Sequence, residues 1–216
     1  MSSPEARALV IWLNAQCVGQ LREQNGLWAL DYDAKWQAAI TGFDLAPALP
    51  RKAGSIVDGA SQRPVQWFFD NLLPEEGARE LLAKDASLST ADAFGLLAWY
   101  GRESAGALTL LPSDETPSLS DGCLHLTDAD LSARIRQLPT ISLAHGAPKK
   151  ISLAGAQHKL AVILTPEGLL EPRGNTPSTH ILKPEHQNKD HYPHSVINEW
   201  CAMTLAKRVA LPVPEV

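Results

Sequence analysis

Three features in the last third of this 216-residue chain could together hold a phosphate. Ser152-Leu-Ala-Gly-Ala-Gln157 is a run of small, uncharged residues between the pair Lys149-Lys150 and the apolar stretch "KLAVIL". Backbone N–H groups in such a loop can approach an anion closely, because no large side chain stands between them. Lys183 ends the aliphatic stretch "THILK", and Glu199 follows in the helical segment "INEW". A loop of backbone donors, a strand lysine that reaches phosphates and a helix glutamate that fixes the lysine are, in this order, parts of a nucleotide-binding kinase lobe. Each also has a plainer reading. The loop reads equally as an ordinary turn, Lys183 as a solvated edge lysine, Glu199 as a surface helix residue, and Lys149-Lys150 as surface charge. The loop matches neither the GxxxxGK[ST] phosphate loop nor the GxGxxG of ordinary protein kinases.

Such residues need elements to position them. "ALVIWLN" reads as a dense strand, and "AQCVGQL" continues it after a short turn. Asn25-Gly26 signals a hairpin, since both residues tolerate positive φ, and "LWALDY" is the returning strand. Residues 33–64 read as irregular. Pro64 opens a helix with Trp67, Phe68, Leu72 and Leu73 at near-helical spacing. The Trp and Phe residues at 67–69 read as core. Pro74 breaks this helix, and a second one carries Leu81 and Leu82. "STADAFGLLAWYG" starts at Ser89, with Asp92 placed as in a capping box, and stops at Gly101. "GALTLLP" is a strand, residues 112–122 a loop, and "TDADLSARIRQL" a short helix capped by Thr127. From "KLAVIL" the chain is β again, through "LLEP" to "THILKP". In the last helix Ile197, Cys201 and Leu205 line one face, with Trp200 and Thr204 beside it, and "PVPEV" reads as the start of another strand.

Composition narrows the class. Hydrophobic residues make up 44% of the chain, enough for a core, and the net charge of −5 argues against a protein that mainly coats nucleic acid or an anionic membrane. A local basic site stays open. Cys17, Cys123 and Cys201 are odd in number and lack metal-ligand or redox spacing, which reads as a reduced, cytoplasmic chain. The first residues carry no basic region ahead of a long apolar run, and no stretch approaches a membrane span. His186, His191 and His194 lie near Asp190, but their spacing matches no standard metal site, so the segment reads as a loop and no metal site is assigned.

The resemblance becomes specific when the segments are taken together. "ISLAGAQHKLAVIL" closely resembles the phosphate loop of the HipA family, bacterial serine/threonine kinases that act as toxins of toxin–antitoxin modules. "THILKP" and "NEWCAMTLAKRVALPV" fit the family segments that follow it. Upstream, "FFDNLLPE" (Phe68–Glu75) and "GRESAGALTLLP" (Gly101–Pro112) fit as well.

The resemblance implies roles. Ala154, Gly155, Ala156, Gln157, His158 and Lys159 would cradle ATP phosphates, Lys183 would contact the nucleotide, and Glu199 would pair with that lysine. Ser152 matches the serine that is autophosphorylated in the family. A phosphate there would repel those of ATP and reorganise the soft loop. The implied cofactors are ATP and Mg²⁺. The implied partners are a small DNA-binding HipB-like antitoxin and a protein substrate, an aminoacyl-tRNA synthetase in one branch. DNA is reached only through the antitoxin, and no membrane is involved. The catalytic and Mg²⁺-holding aspartates of a kinase find no candidate after Glu199, so no catalytic residue is assigned within this chain.

The expected architecture is α+β. A β-rich N-terminal subdomain with helices spans 1–112, a connecting loop and short helix 113–148, and a kinase-like N-lobe, a small antiparallel sheet plus helix, 149–216. The chain is expected to be the N-terminal part of a HipA-like kinase without its C-terminal lobe, inactive alone. The alternative is a natural, non-catalytic half-protein that binds an antitoxin or a separate kinase chain.

Overall fold

A computed structural model describes residues 6–103, 107–117, 122–138, 140–141, 157–173 and 176–216. Strands β1 (Arg7–Leu13), β2 (Gln16–Gln24) and β3 (Leu27–Tyr32) form an antiparallel meander. The β2–β3 turn is the expected Asn25-Gly26, with φ of 54° and 74°. Strands β4 (Ser55–Val57) and β5 (Leu108–Leu111) complete a sheet of order β4-β3-β2-β1-β5. Alternation sends Leu9, Ile11, Leu21 and Leu30 to one side, and the irregularity in β2 opposite Ile11 and Trp12 lets Val18 join the same core; each is at most 2% exposed. Gly19 is required on β2, because a Cβ there would run into the carbonyl oxygen of Asp31 on β3.

Helices α2 (Pro64–Asp70), α3 (Glu76–Asp85) and α4 (Ala93–Tyr100) supply the other half of this core through Val65, Phe69, Leu82, Phe94, Leu96 and Leu97. Trp28 meets Phe94 edge to face at 5.2 Å. The break between α2 and α3 falls at Leu73-Pro74, as the proline dictates. The start of α2 has no cap of its own. Buried Asp58, six residues ahead of the helix, accepts from Val65 N and Gln66 N, both at 2.9 Å.

Three local expectations change. Residues 33–64 are not wholly irregular, since they hold β4 and the short helix α1 (Ala34–Ala38), capped by Asp33. The cap of α4 is Asp92 and not Ser89, because residues 89–92 close a turn of their own before Asp92 accepts from Gly95 N at 3.0 Å. Residues 67–69 divide. Phe69 is core, whereas Trp67 is 56% exposed, because its side of α2 faces away from the sheet.

A second sheet follows, of order β6-β8-β7-β9 and antiparallel throughout. Its strands are β6 (Cys123–Leu126), β7 (Leu160–Thr165), β8 (Gly168–Pro172) and β9 (His180–Leu182). Leu126, Leu138, Leu160 and Val162 form its small core, joined by Leu131 of α5 (Asp128–Gln137). Thr127 caps α5, and Arg134 on that helix is ion-paired with buried Glu171 on β8. The segment read as a connection thus supplies a strand and a helix to the second layer. The last helix, α6 (Ser195–Arg208), buries none of its residues, and Ile197, Trp200 and Leu205 of the expected apolar face are each more than half exposed. Residues 211–216 form no strand. Among the described residues no helix is long and apolar enough to cross a membrane.

Candidate functional site

The second sheet brings two lysines together. Leu160 of β7 stands opposite Leu182 of β9, so the next residues outward, Lys159 and Lys183, lie side by side at the strand ends. Like charges so placed repel. Two carboxylates offset this. Lys183 Nζ is ion-paired with Glu199 of α6. The Lys159 ammonium is held below its usual lysine range by burial and by Lys183, while Glu199 and Glu75 act in the opposite direction.

α6 is aimed by a polar clasp. Its first residue lies after His194, which has φ of 55° and offers no side-chain cap. Glu185, two residues beyond Lys183, serves instead. Its carboxylate accepts from Ser195 N at 2.7 Å and Val196 N at 3.3 Å. Ser195 Oγ in return accepts from His186 N at 2.8 Å. The helix that carries Glu199 is thereby tied to the strand that carries Lys183. Gln157 Nε2 donates to Pro184 O at 2.9 Å, tying the end of the small-residue loop to the same segment.

A cavity of about 330 Å³ lies beside these residues. Glu76, Gly77 and Ala78 of α3 form one wall, and Gln157, His158 and residues 184–188 the other, with His191 and Tyr192 at the side. Burial and nearby His186 hold the His158 imidazole below its ordinary value, so it stays neutral near pH 7. The His186 ring packs on Tyr192 with centroids 4.4 Å apart. Among the described residues no three His, Cys, Asp or Glu side chains gather as metal ligands, the region of His186, Asp190, His191 and His194 included.

Of the residues singled out in the sequence, Gln157, His158, Lys159, Lys183 and Glu199 fall in one neighbourhood. Ser152, Ala154, Gly155 and Ala156, with Lys149 and Lys150, lie outside the described residues. Two contributors had no role assigned from sequence. Glu75 closes the "FFDNLLPE" segment, and its electrostatic influence on Lys159 has no local signal. Glu185 sits in "LKPEH", where a carboxylate ten residues ahead of a helix carries no capping pattern.

Comparison with known proteins gives a consistent result. The family model described as "HipA N-terminal domain" matches residues 9–111, and the one described as "HipA-like C-terminal domain" matches 151–216. A Sinorhizobium fredii protein named "Putative kinase Y4mE" is 34% identical over 97% of this chain and 50% of its own length. The "Serine/threonine-protein kinase toxin HipA" of Shewanella oneidensis is 29% identical over 100% of this chain and 48% of its own. A solved Shewanella oneidensis structure, of the toxin–antitoxin system HipA, HipB and operator DNA, superposes with a TM-score of 0.73 at 28% identity, covering 96% of this chain and 46% of that one. The chain spans about half the length of these relatives.

Proposed function

The chain belongs to the HipA family, and we propose that residues 152–199 form the phosphate-holding side of an ATP site in a serine/threonine kinase of the toxin type. The observation that carries this reading is the Lys183–Glu199 ion pair beside Lys159 and Gln157. A lysine held by a helix glutamate and pointing from a strand end is how a kinase lobe presents one positive charge to α- and β-phosphates. The small-residue loop adds backbone donors, and Lys159 adds a second cation. Ser152 is the proposed site of autophosphorylation.

In this reading the residues named above position the nucleotide and neutralise its charge; no base or metal ligand is assigned among them. Among the described residues no three His, Cys, Asp or Glu side chains gather as metal ligands. The proposed partner is a small HipB-like DNA-binding antitoxin, as in the Shewanella oneidensis complex to which the chain is similar. The proposed acceptor is a protein hydroxyl, and the proposed location the cytoplasm.

Titration of the chain with ATP and ADP tests the reading. Saturable binding that Lys183→Ala weakens supports it, and no binding at millimolar nucleotide rejects it. A transfer assay with γ-labelled ATP is expected to leave this chain unlabelled, because phosphoryl transfer depends on positioning and charge neutralisation that these residues only partly provide.

A further inference from the structure

Lys183 and Glu185 are separated by one proline, and they engage α6 at two points with opposite signs. Lys183 Nζ is ion-paired with Glu199, and the Glu185 carboxylate accepts from Ser195 N at 2.7 Å and Val196 N at 3.3 Å. A residue ahead of proline is held extended and the φ of the proline is fixed, so Pro184 makes a stiff spacer between the two charges. Two residues of extended chain rise about 6.6 Å. Ser195 and Glu199 are four residues apart on one side of the helix, a rise of about 6 Å. The two spacings match, so each contact helps to place the other. The signs match as well, since a carboxylate suits the positive end of a helix. Ser195 Oγ closes the first contact by accepting from His186 N at 2.8 Å. No residue of α6 is buried, so these polar contacts, more than apolar packing, set where the helix lies.

We propose that Glu185 is a positioning residue for the phosphate-binding lysine: it holds α6 so that Glu199 meets Lys183. The inference rests on the nucleotide reading above and adds to it the group that aims the lysine. The direction of the Lys183 ammonium is thus set by a carboxylate whose described hydrogen bonds go to the helix and not to the lysine.

The test compares Glu185→Ala and Glu185→Gln with Asp190→Asn, which removes the same charge from an exposed position five residues further on. Without nucleotide, acetylation of Lys183 by acetic anhydride, read by peptide mass spectrometry, should rise about two- to fourfold in Glu185→Ala. It should rise less in Glu185→Gln, which keeps one acceptor oxygen, and stay near parent in Asp190→Asn. The affinity for ADP should fall about three- to tenfold in Glu185→Ala. In a Glu199→Gln background both effects should vanish. A through-space effect of the Glu185 charge, or a general loss of folding, would persist there. Unchanged Lys183 reactivity in Glu185→Ala, an equal rise in Asp190→Asn, or an undiminished effect in the Glu199→Gln background overturns the proposal. If the parent binds no ADP while reactivity responds as expected, the positioning role stands and the nucleotide reading falls.

Discussion

Lys183 at the end of β9 and Glu199 in the second turn of α6 are ion-paired although sixteen residues separate them. Both side chains are partly exposed, so the pair contributes little to stability. Its effect is directional. An ammonium on a flexible four-carbon stem is given one position, at a strand end.

Lys183→Ala is expected to weaken ATP binding at least roughly tenfold, the scale of one charge-assisted contact in a shielded cleft. Lys189→Ala, which removes an ammonium from an exposed polar run, should leave affinity within about twofold. Calorimetric titration of both variants at one salt concentration decides. Equal effects would mean that the strand lysine is no more than surface charge.

The Arg134–Glu171 pair joins α5 to the second sheet, with Glu171 buried. Arg134→Met should destabilise by about 3 kcal/mol, since it leaves a carboxylate buried and unpaired. Arg134→Met with Glu171→Leu should recover most of that loss, because an apolar pair of similar size suits the site. Urea unfolding of the two variants measures the difference. A double variant no more stable than the single would argue that packing of the arginine stem, not charge, holds α5.

Acid should act on the site before it acts on the first sheet. His158 has its pKa lowered below 6.5, first by burial and then by His186. As the pH falls below 6.5 the unfolded chain binds the proton first, so the folded state loses stability until its own imidazole protonates. His158→Gln should flatten the dependence of Tm on pH just below that value. Asp31, lowered below 3.8 chiefly by its bond from Arg22, keeps its contribution above that range and loses it only as the pH falls below. A proton NMR titration of His158 checks the first half.

Hydrogen exchange should separate the layers. Amides of β1, β2 and β3, around Ile11, Leu21 and Leu30, are expected to be the slowest, and those of α6, which buries no residue, the fastest among the helices. The reverse order would show that α6 draws protection from contacts other than apolar burial.

Much of the fold was legible because its signals are local. Asn25-Gly26 marks the first hairpin, Pro74 divides two helices, Thr127 caps α5, and "KLAVIL" reads as a buried strand, which holds for Leu160–Val162 while Leu164 is half exposed. What was not legible rests on distant partners. Asp58 caps α2 from six residues ahead of it, outside the usual N-cap position, and a lone "CLHL" does not declare pairing with β8. The exposure of α6 was hidden too, since an apolar stripe at helical spacing states what a helix can bury and not what lies against it. In the site, Lys183 and Glu199 were found through order and spacing. Glu185 was missed because its partners are set by tertiary placement.

The clasp of Glu185 and His186 with Ser195 bears on how this segment can change over generations. It closes a short ring, and residues 187–194 hang from it as a loop. Lengthening a flexible loop is thermodynamically mild, about 0.6 kcal/mol for each doubling. Insertions and deletions between Gln187 and His194 should therefore accumulate in descendants of this sequence without moving Lys183 away from Glu199. A single lost residue on the other side of the ring, between Lys183 and Glu185, would throw the helix out of step with its strand.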